Sequence, residues 1–339
     1  MLFRSPKRIV DEIEYQVRKH NIVRFWFVDS LANGNLKNFK EFVDELYDRK
    51  LNIRWHVMAR CDGRMDFLFL RKVVASGCTA LAFGIESGSQ KVLHDMRKKI
   101  EVWEIENNLR DVRKAGMYTH VSWMVGFPTE EAVDNFHSMQ VMYNVRKWIG
   151  SISLGFTMAV AKGTHSESNY RDYGIVGNEP LYNYQTTFLY QWYTDGYKNT
   201  IVHRFIRLKL YYIWLEILKN YKGSIIHNAQ LDPKIKDLYS FELNDNISKR
   251  PDYIEQDFNV SFDYFNGSFA DSIANEYVAF LYLLYKSFGK CKFTWICDPE
   301  IDHSIFGNYV ARNYSCKLEM GIGKKDTFYI KIDHELKHV

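Results

Sequence analysis

The chain has 339 residues, of which 46% are hydrophobic and 25% charged, with a formal net charge of +4. That is the make-up of a globular protein with room for a sizeable core and more than one domain. A charge this mild, with no Lys/Arg-rich run, gives no phosphate-binding stripe, so no nucleic-acid partner is expected. In chain order, Ser5-Pro6 is a helix start, followed by an apolar face at Ile9, Val10, Ile13 and Val17. Strand-like runs fall at 22–28, 53–59, 80–85, 119–125 and 152–160. Helical patterns lie between them. Phe39, Phe42, Val43 and Leu46 mark the second helix, and Leu68, Val73 and Val74 the third, which ends at Ser76-Gly77. Val102, Ile105, Leu109 and Val112 mark the fourth, which ends at Ala115-Gly116. Phe136, Met139, Val141 and Val145 mark the fifth.

Strands alternating with helices about every 30 residues imply parallel βα units. Five of them without a dinucleotide fingerprint predict an α/β fold of the partial (β/α) barrel type. In that fold ligands gather at the C-terminal strand ends, which makes Asp29, Arg60, Glu86 and Gly126-Phe127-Pro128 neighbours on one rim. Beyond residue 177 the composition turns to Tyr, Trp, Asn and Lys. Residues 1–177 are read as the barrel-like core, 178–250 as a mainly helical connection with a helix over 197–221, and 251–339 as a small α+β region. In the last, Phe258, Val260, Phe262 and Tyr264 alternate as a strand. A helix over 272–288, a strand over 293–297 and a hairpin around 321–326 follow.

No apolar stretch approaches the roughly 18 residues that cross a bilayer. The greasiest, 201–218, carries His203, Arg204, Arg207, Lys209 and Glu216, so no membrane partner is expected. The N-terminal MLFRSPKR lacks the apolar block of a signal peptide. Cysteines at 61, 78, 291, 297 and 316 are an odd, sparse set that predicts reduced thiols and a cytoplasmic location.

Read alone, Asp29 is equally a turn former before ANGN. Glu86 reads as a cap for a helix beginning near Ser89, and Arg60 as an ion-pair partner. Gly126-Phe127-Pro128 reads as a strand-end turn. Together, however, RSPKRIVDEIE, FWFVDSLANGN, LNIRWHVMARCD, ASGCTALAFGIESGSQKVLHDMRK, LRDVRKAGMYTHVSWMVGFPTE and AKGTHSESNYRDYGIV, in that order, resemble the radical SAM core. The branch they resemble often carries an upstream cobalamin-binding domain, and the resemblance covers residues 1 to about 177. It implies that S-adenosylmethionine is reduced by a [4Fe–4S] cluster to a deoxyadenosyl radical. It also implies that Asp29 faces the methionyl moiety, that Glu86 and Ser87 lie near ribose and methionine, and that Val125, Gly126, Phe127 and Pro128 pack on adenine. Carboxylates suit an ammonium and a ribose, and a backbone edge with an apolar wall suits an adenine. Gly84, Gly88 and Gly126 are expected to let a ligand approach closely.

The resemblance further implies radical chemistry on a small molecule or peptide, with cobalamin-dependent methyl transfer among the options. The family's Cys-x3-Cys-x2-Cys is absent from the sequence. The expectation is therefore a core lacking its first strand and cluster loop. Such a core is inactive alone unless another chain supplies that part, and otherwise is a degenerate binding or scaffold relative. A zinc hydrolase is the remaining alternative, because His334-Glu335-Leu336-Lys337-His338 fits H-E-x-x-H. That chemistry requires the motif on a helix with a third ligand, so no metal ligands are assigned.

Overall fold

The computed structural model describes residues 4–161, 163, 165–178, 188–189, 192–195, 199–221, 224–226, 228–229, 239–243, 269–288, 291–296, 315–322 and 328–335. Up to residue 156 the elements are α1 (Pro6–His20), β1 (Arg24–Trp26), α2 (Leu36–Arg49), β2 (Arg54–Ala59), α3 (Phe67–Ala75), β3 (Cys78–Glu86), α4 (Gln90–Asp95), α5 (Val102–Ala115), β4 (Tyr118–Val125), α6 (Ala132–Val145) and β5 (Ser151–Phe156). Then come β6 (Val160–Ala161), α7 (His165–Ser168), β7 (Ile175–Asn178), β8 (Phe188–Leu189), β9 (Trp192–Thr194), α8 (Ile201–Lys219), β10 (Asn228–Ala229), β11 (Tyr239–Leu243), α9 (Phe269–Phe288), β12 (Cys291–Ile296), β13 (Ser315–Ile322) and β14 (Phe328–Glu335).

The chain divides into two compact units. The first comprises Met1–Trp123, Val145–Gly155 and Tyr221–Gln230; the second comprises Met124–Asn144, Phe156–Asn220 and Leu231–Val339.

In the first unit the sheet order β1-β2-β3-β4-β5-β10 follows the chain. β1 to β4 pair in parallel, as do β5 and β10. α1 packs on α2, α2 on α3 and α3 on α5, so these helices form one row. Sequential parallel strands with crossovers in one row make the α/β layout of a partial (β/α) barrel rather than a doubly wound sheet. Alternate strand residues face the core: Trp55 and Val57, Leu81 and Phe83, Val121 and Trp123 are all buried.

Trp55 is the hub, with ring centres 5.5 Å from Phe42 and 5.9 Å from Phe27, and its indole N–H donates to Ser76 O at 3.0 Å. Gly77, just past α3, has φ +101°, and a Cβ there would lie 2.2 Å from Ile53 O. This junction was expected, but Leu68 was not expected outside. It is 81% exposed, and Leu70 and Val73 form the buried face of α3 instead. β1 is shorter than the 22–28 run, because Ile22 and Val28 are exposed beyond the paired residues.

In the second unit α6 is buried around nearly its whole circumference rather than along one stripe. It packs with α8 and α9: Tyr143 stacks on Trp214 at 6.2 Å, Trp214 Nε1 donates to Met139 O at 2.9 Å, and Phe136 meets Tyr282 at 5.5 Å. β11, β12, β13 and β14 form an antiparallel sheet. Its last two strands are the expected hairpin, while β11 was not foreseen. β6 pairs with β8 and β7 with β9.

The alternating 258–264 strand lies outside the described residues. His334 and Glu335 end strand β14, whereas the zinc-protease pattern needs a helix; His338 lies outside the described residues. No described helix is long and apolar enough to cross a membrane.

Candidate functional site

Asp29, Arg60, Glu86 and Ser87 belong to the first unit, and Val125, Gly126, Phe127 and Pro128 to the second. The first set is brought to the C-terminal ends of the neighbouring strands β1, β2 and β3. At the end of β3 the register shifts between Gly84 and Glu86, which face Ser122 and Trp123. This bulge re-aims the last residue. Glu86 itself has φ +69°, a left-handed conformation that costs a residue with a Cβ on the order of 1 kcal/mol and that clusters at ligand sites.

Glu86 Oε1 lies 3.3 Å from Lys98 Nζ, which also donates to Gly84 O at 3.1 Å. A Cβ on Gly84 would sit 2.7 Å from Glu86 Oε1. Gly84 therefore makes room for the protein's own carboxylate, which corrects the expectation that it admits a ligand. The Glu86 side chain keeps 22% of its surface open, so its second oxygen can accept from a hydroxyl or an ammonium. Ser87 is buried and its Oγ accepts from Ser89 N at 3.1 Å, while Ser89 caps α4.

Asp29 is exposed and lines a cavity of about 700 Å³ with Arg4, Ile13, Phe27, Ser30 and Phe39. The Arg60 backbone is gripped at both ends by one side chain, since Asn33 Nδ2 donates to Arg60 O at 2.7 Å and Arg60 N donates to Asn33 Oδ1 at 2.9 Å. Buried Asn33 thereby fastens the loop after β1 to the end of β2. Nothing local in ANGN announces that role.

In the second unit the Gly126–Glu130 turn is buried and held from several sides. The Glu130 carboxylate accepts from Gly126 N at 2.5 Å and Phe127 N at 3.2 Å. Arg207, on α8, donates through Nη1 to Glu130 O at 2.9 Å and through Nη2 to Glu276 Oε1 at 2.6 Å. Asn199 Nδ2 donates to Phe127 O at 2.7 Å and Pro128 O at 3.1 Å.

Arg204 stacks on Trp192, its guanidinium carbon 3.8 Å from the ring centre. Its methylenes occupy the space a Gly126 Cβ would need, with Cδ 2.5 Å from that position. Gly126, at φ +92°, is thus a glycine for Arg204 and not for ligand approach. The charges here are buried, and burial dominates the titration of Glu130, His203 and Arg204, whereas for Arg207 burial is outweighed by the carboxylates of Glu276 and Glu130, which hold it above its usual range. Burial pushes Glu130 up to about 7 against the pull of Arg207, His203 down to about 3 and Arg204 down to about 9.

An iron–sulfur cluster needs several Cys thiolates brought together at one place. The cysteines whose surroundings are described, Cys61 and Cys78, are both buried, and burial pushes both thiols well above the usual range. Cys78 Sγ is spent on Ala80 O at 3.4 Å. These two residues do not fit a cluster, and no group of metal-ligating side chains occurs among the described residues.

The radical SAM superfamily profile matches residues 1–138. The anaerobic magnesium-protoporphyrin IX monomethyl ester cyclase of Cereibacter sphaeroides is 31% identical over 130 residues, covering 38% of this chain and 21% of that protein. The cytidylyl-2-hydroxyethylphosphonate methyltransferase of Streptomyces wedmorensis is 26% identical over 162 residues, covering 46% of this chain and 30% of that protein. The chain therefore spans less than a third of the length of these relatives. A radical S-adenosylmethionine methyltransferase of Kitasatospora setae, solved with cobalamin and a [4Fe–4S] cluster, aligns at 20% identity and a TM-score of 0.40, covering 45% of this chain and 29% of that one. Over residues 1–138, less than half of its length, the chain is similar to the radical SAM superfamily.

Proposed function

We propose that the chain binds S-adenosylmethionine, with Asp29, Glu86 and Ser87 taking its amino-acid and ribose portions and Val125–Pro128 serving as the adenine wall. The observation that carries this reading is Glu86. It is a half-open carboxylate held in a left-handed conformation on a bulge at a parallel strand end, inside the segment that matches the family. Arg60, fixed through its backbone by Asn33, completes the set.

The activity we assign to the full assembly is radical chemistry on a small molecule or peptide. Methyl transfer is favoured by the likeness to a methyltransferase. Cobalamin enters only through the branch the sequence resembles, and no step is derived through it. Because Cys61 and Cys78 do not fit a cluster, its thiolates would come from outside the described residues or from another polypeptide. A non-catalytic relative that holds the cofactor without cleaving it is the second reading, favoured by the same two buried thiols.

Calorimetric titration with S-adenosylhomocysteine tests the binding claim. Saturable binding that weakens about tenfold in Glu86→Gln supports it, and no heat at millimolar ligand refutes it. Anaerobic loading with iron and sulfide separates the two readings. A cluster absorption band that appears only when a cysteine-bearing partner is added favours the assembly. A band from this chain alone that vanishes in Cys61→Ser refutes the account of the thiols.

A further inference from the structure

The Gly126–Glu130 turn closes one backbone bond of its own, Glu130 N donating to Phe127 O at 3.0 Å, and side chains take up further polar groups. Its amides at 126 and 127 go to the Glu130 carboxylate. Three of its carbonyls also accept from outside: Asn199 Nδ2 lies 2.7, 3.1 and 3.4 Å from the oxygens of Phe127, Pro128 and Glu130, and Arg207 Nη1 lies 2.9 Å from Glu130 O. Asn199 and Arg207 are 1% and 0% exposed. Each is itself fixed, since Asn199 Oδ1 accepts from Arg204 Nη1 at 3.4 Å and Arg207 is anchored on Glu276. An amide shared among the carbonyls of residues 127, 128 and 130 constrains the curvature of the turn, because each of these oxygens must point back at one nitrogen. The turn's apolar parts are buried as well, Phe127 being 5% exposed. The Phe127 ring stands edge-on to Tyr173 at 5.7 Å.

We infer that Asn199 and Arg207 are positioning residues of the S-adenosylmethionine site, which set the shape of the adenine wall from beyond the family-matching segment. The inference rests on the reading of that turn as the adenine wall. Asn199→Asp keeps the size of the side chain and replaces the donating amide with an acceptor. Arg207→Lys keeps the charge facing Glu276 but loses the fork.

The test is calorimetric titration of the full chain with S-adenosylhomocysteine and with 5′-methylthioadenosine, at a temperature where circular dichroism shows each variant folded. Both affinities are expected to fall together by about tenfold in Asn199→Asp, because the two ligands share the adenosyl group, and to fall less in Arg207→Lys. Asp29→Asn is the contrast and should weaken only S-adenosylhomocysteine, which alone carries the amino-acid end. A wild type that binds both ligands and an Asn199→Asp that binds them equally well, whether or not its melting temperature drops, overturns the positioning role alone. A wild type that binds neither overturns the adenine-wall reading and this inference with it. If Asn199→Asp does not fold, Asn199→Ser removes the amide without adding charge and is judged by the same criteria.

Discussion

Glu86 is held by its own neighbourhood: the bulge at Gly84, and Lys98 twelve residues on. The Gly126–Glu130 turn is held by its own Glu130 and, in addition, by side chains 69 to 77 residues away, all of them buried. The first arrangement is partly open to water and strained, and its ion pair is worth little in high dielectric. The second is dry and unstrained apart from Gly126, and depends on charges that cannot be removed singly. The first arrangement can adjust and the second cannot.

The sharpest way to break this contrast is Arg207→Ala. It strands Glu130 and Glu276 without their shared cation and should cost about 3–5 kcal/mol in urea unfolding.

Next is the acid response of the buried network. His203 has its pKa pushed from 6.5 to about 3, first by burial and then by Arg207 and Arg204. The folded state therefore binds fewer protons than the unfolded chain between those values, and stability drains away as pH falls through that window. Glu130, raised from 4.5 to about 7, has the opposite sign, and its contribution is lost as pH rises through that range. His203→Gln keeps an acceptor for Thr200 N in the capping box of α8 and removes the titration. By pH 4 the wild type should have lost on the order of 3 kcal/mol more than this variant, relative to pH 7.

Gly126→Ala places a Cβ at φ +92° against Arg204 and should cost about 2 kcal/mol in the same assay. Lys98→Met removes the partner of Glu86 and should shift stability by less than about 1 kcal/mol, the two side chains being 28% and 22% exposed. A large loss in Lys98→Met, or a small one in Arg207→Ala, would erase the distinction between the two arrangements.

The parallel strands and the first helices are legible because their apolar residues repeat at the periods the elements require, and Ser76-Gly77 and Ala115-Gly116 mark ends that the backbone needs. Leu68 misleads because α3 is short and its buried stripe runs through Leu70 and Val73. The strand end at Glu86 is legible since its reasons are local. Asn33, Asn199 and Arg207 are not, because their partners are 27 to 77 positions distant and pairwise contact leaves no mark in a single sequence.

One trace was present. His203, Arg204 and Arg207 sit in an apolar helix, where they count against a membrane span. In the structure all three are buried. Spaced at 203, 204 and 207 they share one face of α8, the spacing that a buried polar network on a helix demands.

The interleaving of the second unit bears on how such a protein can be cut. The family profile matches up to residue 138, inside α6, yet the turn seated just before α6 draws on Asn199 and Arg207 from the stretch 156–220, and on Glu276 of α9 through Arg207. An excised 1–138 piece would bare the carbonyls of Phe127, Pro128 and Glu130 and leave Glu130 with no counter-charge from α8. Any graft of this turn onto another scaffold has to carry α8 and α9 with it, so the transplantable module is larger than the recognisable one.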